Sequence, residues 1–241
     1  MLDRVTRAAA HPPGSTSPIP LPTAFGGYVL AWFAGQLLAA FVLMGSDSGD
    51  DRSIPMLFAA VALTWIAYLG MLWWLSIFAG TGAPAKDYAA RFRPVDLVGI
   101  PLGAVTQLVL VPLLYWPLRE IWPDTFSLDD VSEYAEDLVD RANGAEIVLL
   151  VVMVAVLAPV VEELVYRGLL HRSIAATVPP VLAILASAAF FMLIHFRPIE
   201  YPGLFLVGIV LATCVAATGR IGMAVAAHIA FNATGLLVVA G

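Results

Sequence analysis

Charge is what this chain has least of. Only 12% of its 241 residues are Asp, Glu, Lys or Arg, while 61% are hydrophobic and the mean hydropathy is +0.89. Soluble domains carry about 25% charged residues, so this balance excludes one and points to a polytopic membrane protein. Cysteine is almost absent: Cys214 stands alone in an apolar run, which excludes an intramolecular disulfide framework and reads as a small core residue. The net charge of -6 gathers in two acidic stretches, SDSGDD at 46–51 and the segment from Trp122 to Glu146. It therefore describes loops rather than partners, and no nucleic-acid partner is expected. The first 22 residues hold Arg4, Arg7 and HPPGSTSPIPLP, without the apolar run of a cleaved signal. They read as a short disordered cytoplasmic tail.

What is present is a series of apolar runs. Crossing roughly 30 Å of hydrocarbon takes about 20 predominantly apolar residues. Seven segments come close, near Phe25–Gly45, Ile54–Phe78, Leu97–Leu118, Ile147–Gly168, Pro180–Phe196, Pro202–Thr218 and Ile221–Val239. The expectation is an all-α integral membrane protein with about seven transmembrane helices, set in a bacterial-type cell membrane. With the N-terminus inside, Arg4, Arg7, Lys86, Arg91, Arg93, Arg167, Arg172 and Arg220 face the cytoplasm and Arg52, Arg119, Arg141 and Arg197 face outward. That asymmetry favours a cytoplasmic N-terminus and an external C-terminus. In the second acidic stretch, Ser127 reads as an N-cap and Leu128, Val131, Tyr134, Ala135 and Leu138 fall at helical spacing, predicting an amphipathic helix on the membrane surface. AKDYAARFRPVD, on the opposite side, mixes aromatic and basic residues as the headgroup zone does; it also reads as an ordinary basic loop.

Ionisable residues inside spans cost about 2.5–3.5 kcal/mol each on insertion scales and call for a functional reading. Here nearly all lie in the last third: Glu162, Glu163 and Arg167 after span 4, His195 near the end of span 5, and His228 with Asn232 in span 7. One helix from Glu146 to about Ala176, reversing at Val178–Pro180, brings Glu162 and His195 to similar depth, so the glutamates are expected to meet that histidine. Glu163 and Arg167 stand at i and i+4 with the acid first, the favourable order for a helical ion pair. Glu162 then points about 100° away and stays free. Phe191 with His195, and His228 with Asn232, each share a helix face. Singly, each of these residues also reads as structural: an ion pair, a packing histidine, interhelical glue, a snorkelling carboxylate.

Taken in order, EELVYR (162–167), FMLIH (191–195) and HIAFN (228–232), with TGR at 218–220, resemble the CPBP group of intramembrane proteases, which includes CAAX prenyl protease 2 and the Abi, bacteriocin-processing proteins. Its pattern is EExxxR, FxxxH and HxxxN or HxxxD. HFRPIE after His195 departs from it, since many members carry a further polar residue there. The resemblance covers about 146–239 and implies a four-helix catalytic core at 146–241, preceded by accessory helices 1–3 and the acidic loop at 23–145 and by the tail at 1–22. It implies endoproteolysis of a peptide or membrane-protein substrate delivered to the membrane.

No serine or cysteine has a convincing base beside it, so the expected chemistry is direct attack by water. Glu162 is the candidate general base, with His195 holding the water, His228 and Asn232 donating to the oxyanion, and Arg167 orienting Glu163. The alternative is a zinc ion held by Glu162, His195 and His228, with bound water as nucleophile. Two readings outside proteolysis stay open: an ion- or proton-coupled transporter, and a non-catalytic bacteriocin-immunity scaffold.

Overall fold

The computed structural model describes residues 14, 16–44, 53–126 and 128–240, without the side chains of 128–134. Among the described residues there is no strand. In chain order the helices are α1 Leu21–Leu43, α2 Ile54–Ala79, α3 Pro94–Ile121, α4 Leu128–Arg141, α5 Ala145–Ala175, α6 Pro180–Leu193, α7 Tyr201–Thr218 and α8 Gly222–Val239. Proline sits in the first turn of α1, α2, α3, α6 and α7, where its missing N–H has no helical partner to lose. The acidic stretch at 46–51, Arg52, Ser127, Arg4 and Arg7 lie outside the described residues.

Six of these helices are long and apolar enough to cross a membrane, with the turn at Pro198–Glu200 extending α7. The chain is thus an all-α polytopic membrane protein. The seventh expected span is the exception: α6 has 14 residues, about 21 Å of rise against roughly 30 Å of hydrocarbon. Pro198 holds Arg197 extended at φ -123°, and Phe196 takes a positive φ of 54°, so the helix stops before the apolar run does.

Close approach through small residues holds the bundle together. A Cβ at Gly103 of α3 would lie 2.0 Å from the carbonyl oxygen of Ala227 in α8, and one at Gly35 of α1 would lie 2.9 Å from the Thr64 methyl of α2. Gly208 of α7 approaches Ala188 of α6 in the same way. The last helix, α8, lies against α3, α5 and α7.

Two expectations shift. The tail expected to be disordered through residue 22 is already docked by Ser17, whose N–H donates to Arg172 O at 2.9 Å, and by Ile19, which is 1% exposed and accepts at its carbonyl from Ser173 Oγ. Helix α4 forms as expected, but Leu138 and Ala142 bury against Ile54, Leu150 and Met153, packing it on the bundle.

Candidate active site

Helix α5 spans 31 residues as expected for one continuous segment, but it is not a uniform α-helix. It widens into π-helical turns at Val152–Leu157 and again at Glu163–His171. Such widenings re-aim side chains and recur at functional sites. Here the second one carries Glu163, Arg167 and His171 on the buried side of the helix. Arg167 donates from Nη1 to Glu163 Oε1 at 3.0 Å, both side chains being almost fully buried. The predicted ion pair is present.

His228 of α8 meets both glutamates. Its Nδ1 lies 2.9 Å from Glu163 Oε1, and its Nε2 lies 3.8 Å from Glu162 Oε2. Since a carboxylate only accepts, Nδ1 carries the proton in that bond. In the neutral ring Nε2 then turns its lone pair toward Glu162, at a separation longer than a direct hydrogen bond. Glu162 is the more open of the two acids, with 26% of its side chain exposed against none for Glu163.

His195 does not meet the glutamates, which corrects the expectation from depth. Because α6 ends at Leu193, His195 lies in the turn beyond it, and its Nδ1 donates to Phe191 O at 2.6 Å. The Phe191 ring touches both histidines, 4.7 Å from the His195 ring and 5.9 Å from that of His228, with the Arg167 guanidinium 4.2 Å above it. The five groups form one cluster through that ring.

Asn232 shares the face of His228, as its spacing requires, but its Nδ2 donates to Val154 O at 2.8 Å. The sequence of α5 explains the bond. In the π register the N–H of Ala158 bonds Met153 O, so Val154 O is due the N–H of residue 159, which is proline and has none. Asn232 supplies the missing donor, and one of its two N–H groups is thereby committed to α5 rather than to an oxyanion.

A cavity of about 350 Å³ reaches this cluster at His195 and is lined as well by Asn232, Gln107, Tyr115 and Glu200. Three of these escape the motifs. Gln107, a half-buried carboxamide in the π turn of α3, is legible as a glutamine in the middle of an apolar span. Tyr115 donates to Ile199 O at 2.7 Å and accepts from the Gly203 N–H, fastening the turn after His195 to α3. Only its contact across 84 residues reveals that role.

The donors do not assemble as a zinc site. A catalytic zinc takes three protein ligands, whereas Glu162 and His228 offer two, Glu163 Oε1 is engaged by Arg167 and His228, and His195 spends its Nδ1 on Phe191 O. Among the described residues no group of three or more His, Cys, Asp or Glu side chains is disposed to hold a metal.

Comparison with known proteins finds one family. Residues 144–234 match the family described as Rce1-like, type II CAAX prenyl endopeptidase Rce1-like, the same family that the three motifs resemble. No curated protein and no solved structure matches the chain.

Proposed function

We propose, from the membership of residues 144–234 in the Rce1-like family, that the chain is an intramembrane endopeptidase working by a glutamate-activated water. The observation that carries this reading is the chain of groups Glu162, His228, Glu163, Arg167, with a half-open acid at one end and a buried ion pair at the other. Glu162 takes a proton from water as the oxygen attacks the scissile carbonyl carbon. His228 lies next to it, and the Glu163 carboxylate on its Nδ1 stabilises an imidazolium, so the proton can pass through His228 to the leaving amine as the C–N bond breaks. Arg167 holds Glu163 in place through the ion pair at 3.0 Å.

His195 takes the other side of the reaction. With Nδ1 spent on Phe191 O, its Nε2 is the polar atom left for the cavity, where it supports the tetrahedral oxyanion. This exchanges the roles expected of the two histidines. Asn232 becomes a positioning residue that completes α5 where α8 crosses it. No step runs through a metal. The substrate is a peptide or membrane-protein segment reaching the cavity from the bilayer, and the N-terminus lies on the cytoplasmic side.

The test is incubation of the purified, detergent-solubilised protein with a peptide library, read by mass spectrometry beside Glu162→Gln. New termini from the wild type alone support the reading. Equal cleavage by both, or none by a well-folded wild type in detergent and in lipid, counts against it.

A further inference from the structure

At the opposite level from the described cavity, the loop AKDYAARFRPVD takes part in a second one. We propose that this cavity is a binding site for the phosphate group of an anionic lipid, with Lys86 and Arg91 as its recognising cations. It holds about 430 Å³ between Gly14 and residues 16–18, the turn after α2, the end of α5 and Gly219.

Three cations and one acid line it: Lys86, Arg91, Arg172 and Asp87. The acid does not answer the cations. Asp87 is fully buried; its Oδ2 accepts from Ser76 Oγ at 2.6 Å and the Thr81 N–H at 2.9 Å, and its Oδ1 accepts from Thr81 Oγ1 at 2.6 Å. Arg172, only 3% exposed, spends its guanidinium on carbonyl oxygens, those of Gly14, Thr16, Asp87 and Gly168. A buried charge is normally paired with an opposite one; this one makes its direct bonds to carbonyl dipoles alone, with the Asp87 carboxylate acting on it from farther away.

Lys86 and Arg91 are exposed, and among the described residues neither side chain has an ion pair or hydrogen bond. Counting Asp87 as -1 against three cations, the lining carries a formal +2. An anion is therefore the ligand whose chemistry fits. A lipid is favoured over a free ion because Phe92 and Val95, 58% and 55% exposed, continue directly from Arg91, the basic and aromatic pairing that suits an interface. A phosphodiester there bridges the loop to Gly14 and Thr16, whose carbonyls Arg172 holds. It thereby steadies the end of α5, the helix that carries both glutamates.

The full chain is melted in nanodiscs of phosphatidylcholine alone, and in discs with phosphatidylglycerol at about one part in five, with and without inorganic phosphate. We expect the anionic discs to raise Tm by about 5 °C. In a Lys86→Ala/Arg91→Ala variant that gain should vanish, while its Tm in phosphatidylcholine stays that of the wild type. Because both residues are exposed and unpartnered, the variant should fold. If inorganic phosphate in neutral discs gives the whole gain, and the variant loses it, the ligand is free phosphate and the lipid assignment is overturned. If the variant keeps the full gain from phosphatidylglycerol, the stabilisation is a property of the bilayer and the site is overturned. Peptide cleavage is not the readout, so the result stands apart from the proposed protease activity.

Discussion

Two buried acid–arginine pairs at different levels of the bundle invite comparison. Arg220 grips Asp96 with Nε at 2.9 Å and Nη2 at 2.7 Å, and gives Nη1 to Thr218 O; Asp96 also accepts the Arg93 N–H. Every nitrogen and both oxygens are used. In the pair deep in α5, Arg167 Nε and Glu163 Oε2 are buried with no partner in the protein. An unmet buried polar atom costs about 1–3 kcal/mol. The fully satisfied pair ties the turn before α8 to α3 and needs nothing more. The incomplete one faces His228 and Glu162, where water and substrate are proposed to enter. Satisfaction of hydrogen bonds, rather than burial or charge, separates the brace from the site.

The sharpest way to break that contrast is Glu162→Gln. If this acid does proton chemistry, turnover should fall by about 10²–10⁴, while the melting temperature stays near that of the wild type because Glu162 makes no close bond. Unchanged turnover would reduce the cluster to packing.

Next in size is Arg167→Met against Arg220→Met. Removing Arg167 leaves Glu163 buried and half unpaired, at a cost of about 3–5 kcal/mol. Asp96 keeps the Arg93 N–H, so losing Arg220 should cost less, about 1–3 kcal/mol. Denaturation in a fixed detergent reads both. Equal losses would erase the distinction.

How far this arrangement is legible in the sequence depends on the kind of signal. The long helix α5 and the Glu163–Arg167 pair follow from spacing alone, because a helical i, i+4 pair forms within one element. The choice between His195 and His228 does not. It turns on where α6 stops and on how α5 widens at Val152–Leu157 and Glu163–His171, neither of which periodicity reports. Asn232 shows the limit most clearly: HxxxN predicts its face, and only the pairing of Pro159 with a π turn gives it a carbonyl to complete.

Asn232→Ala therefore tests the brace reading within the site itself. Losing the donor to Val154 O should lower stability by about 1–3 kcal/mol and reduce the rate only in proportion to the folded fraction. A loss of about 10²–10³ in kcat with stability intact would return Asn232 to the oxyanion role. At the basic end, Asp87→Asn gives a smaller, pH-limited effect. Burial pushes its carboxyl up, but bonds from Ser76 and Thr81 outweigh that and hold it below the usual carboxylate range. A lowered folded value makes the carboxylate stabilising above about pH 3.9, and the contribution fades as pH falls through the folded value. The wild type should accordingly lose its advantage over the variant in melts at acid pH.

The smallest expected effect is none at all, on treatment with a zinc chelator. In both pairs the arginine already neutralises its acid, and Glu163 Oε1 is taken up by Arg167 and His228. That leaves Glu162 and His228 as the donors facing one another at 3.8 Å, one ligand short of the three a catalytic zinc requires. His195 pairs with neither glutamate and spends its Nδ1 on Phe191 O. The metal-free reading therefore expects active protein to contain well under one zinc per chain and to keep its rate after dialysis against chelator. Stoichiometric zinc, lost with activity and restored with it, would overturn that reading, and His228→Ala should then lose metal and turnover together. Without zinc, His228→Ala should lose turnover while also destabilising the fold, because Glu163 forfeits one of its two partners.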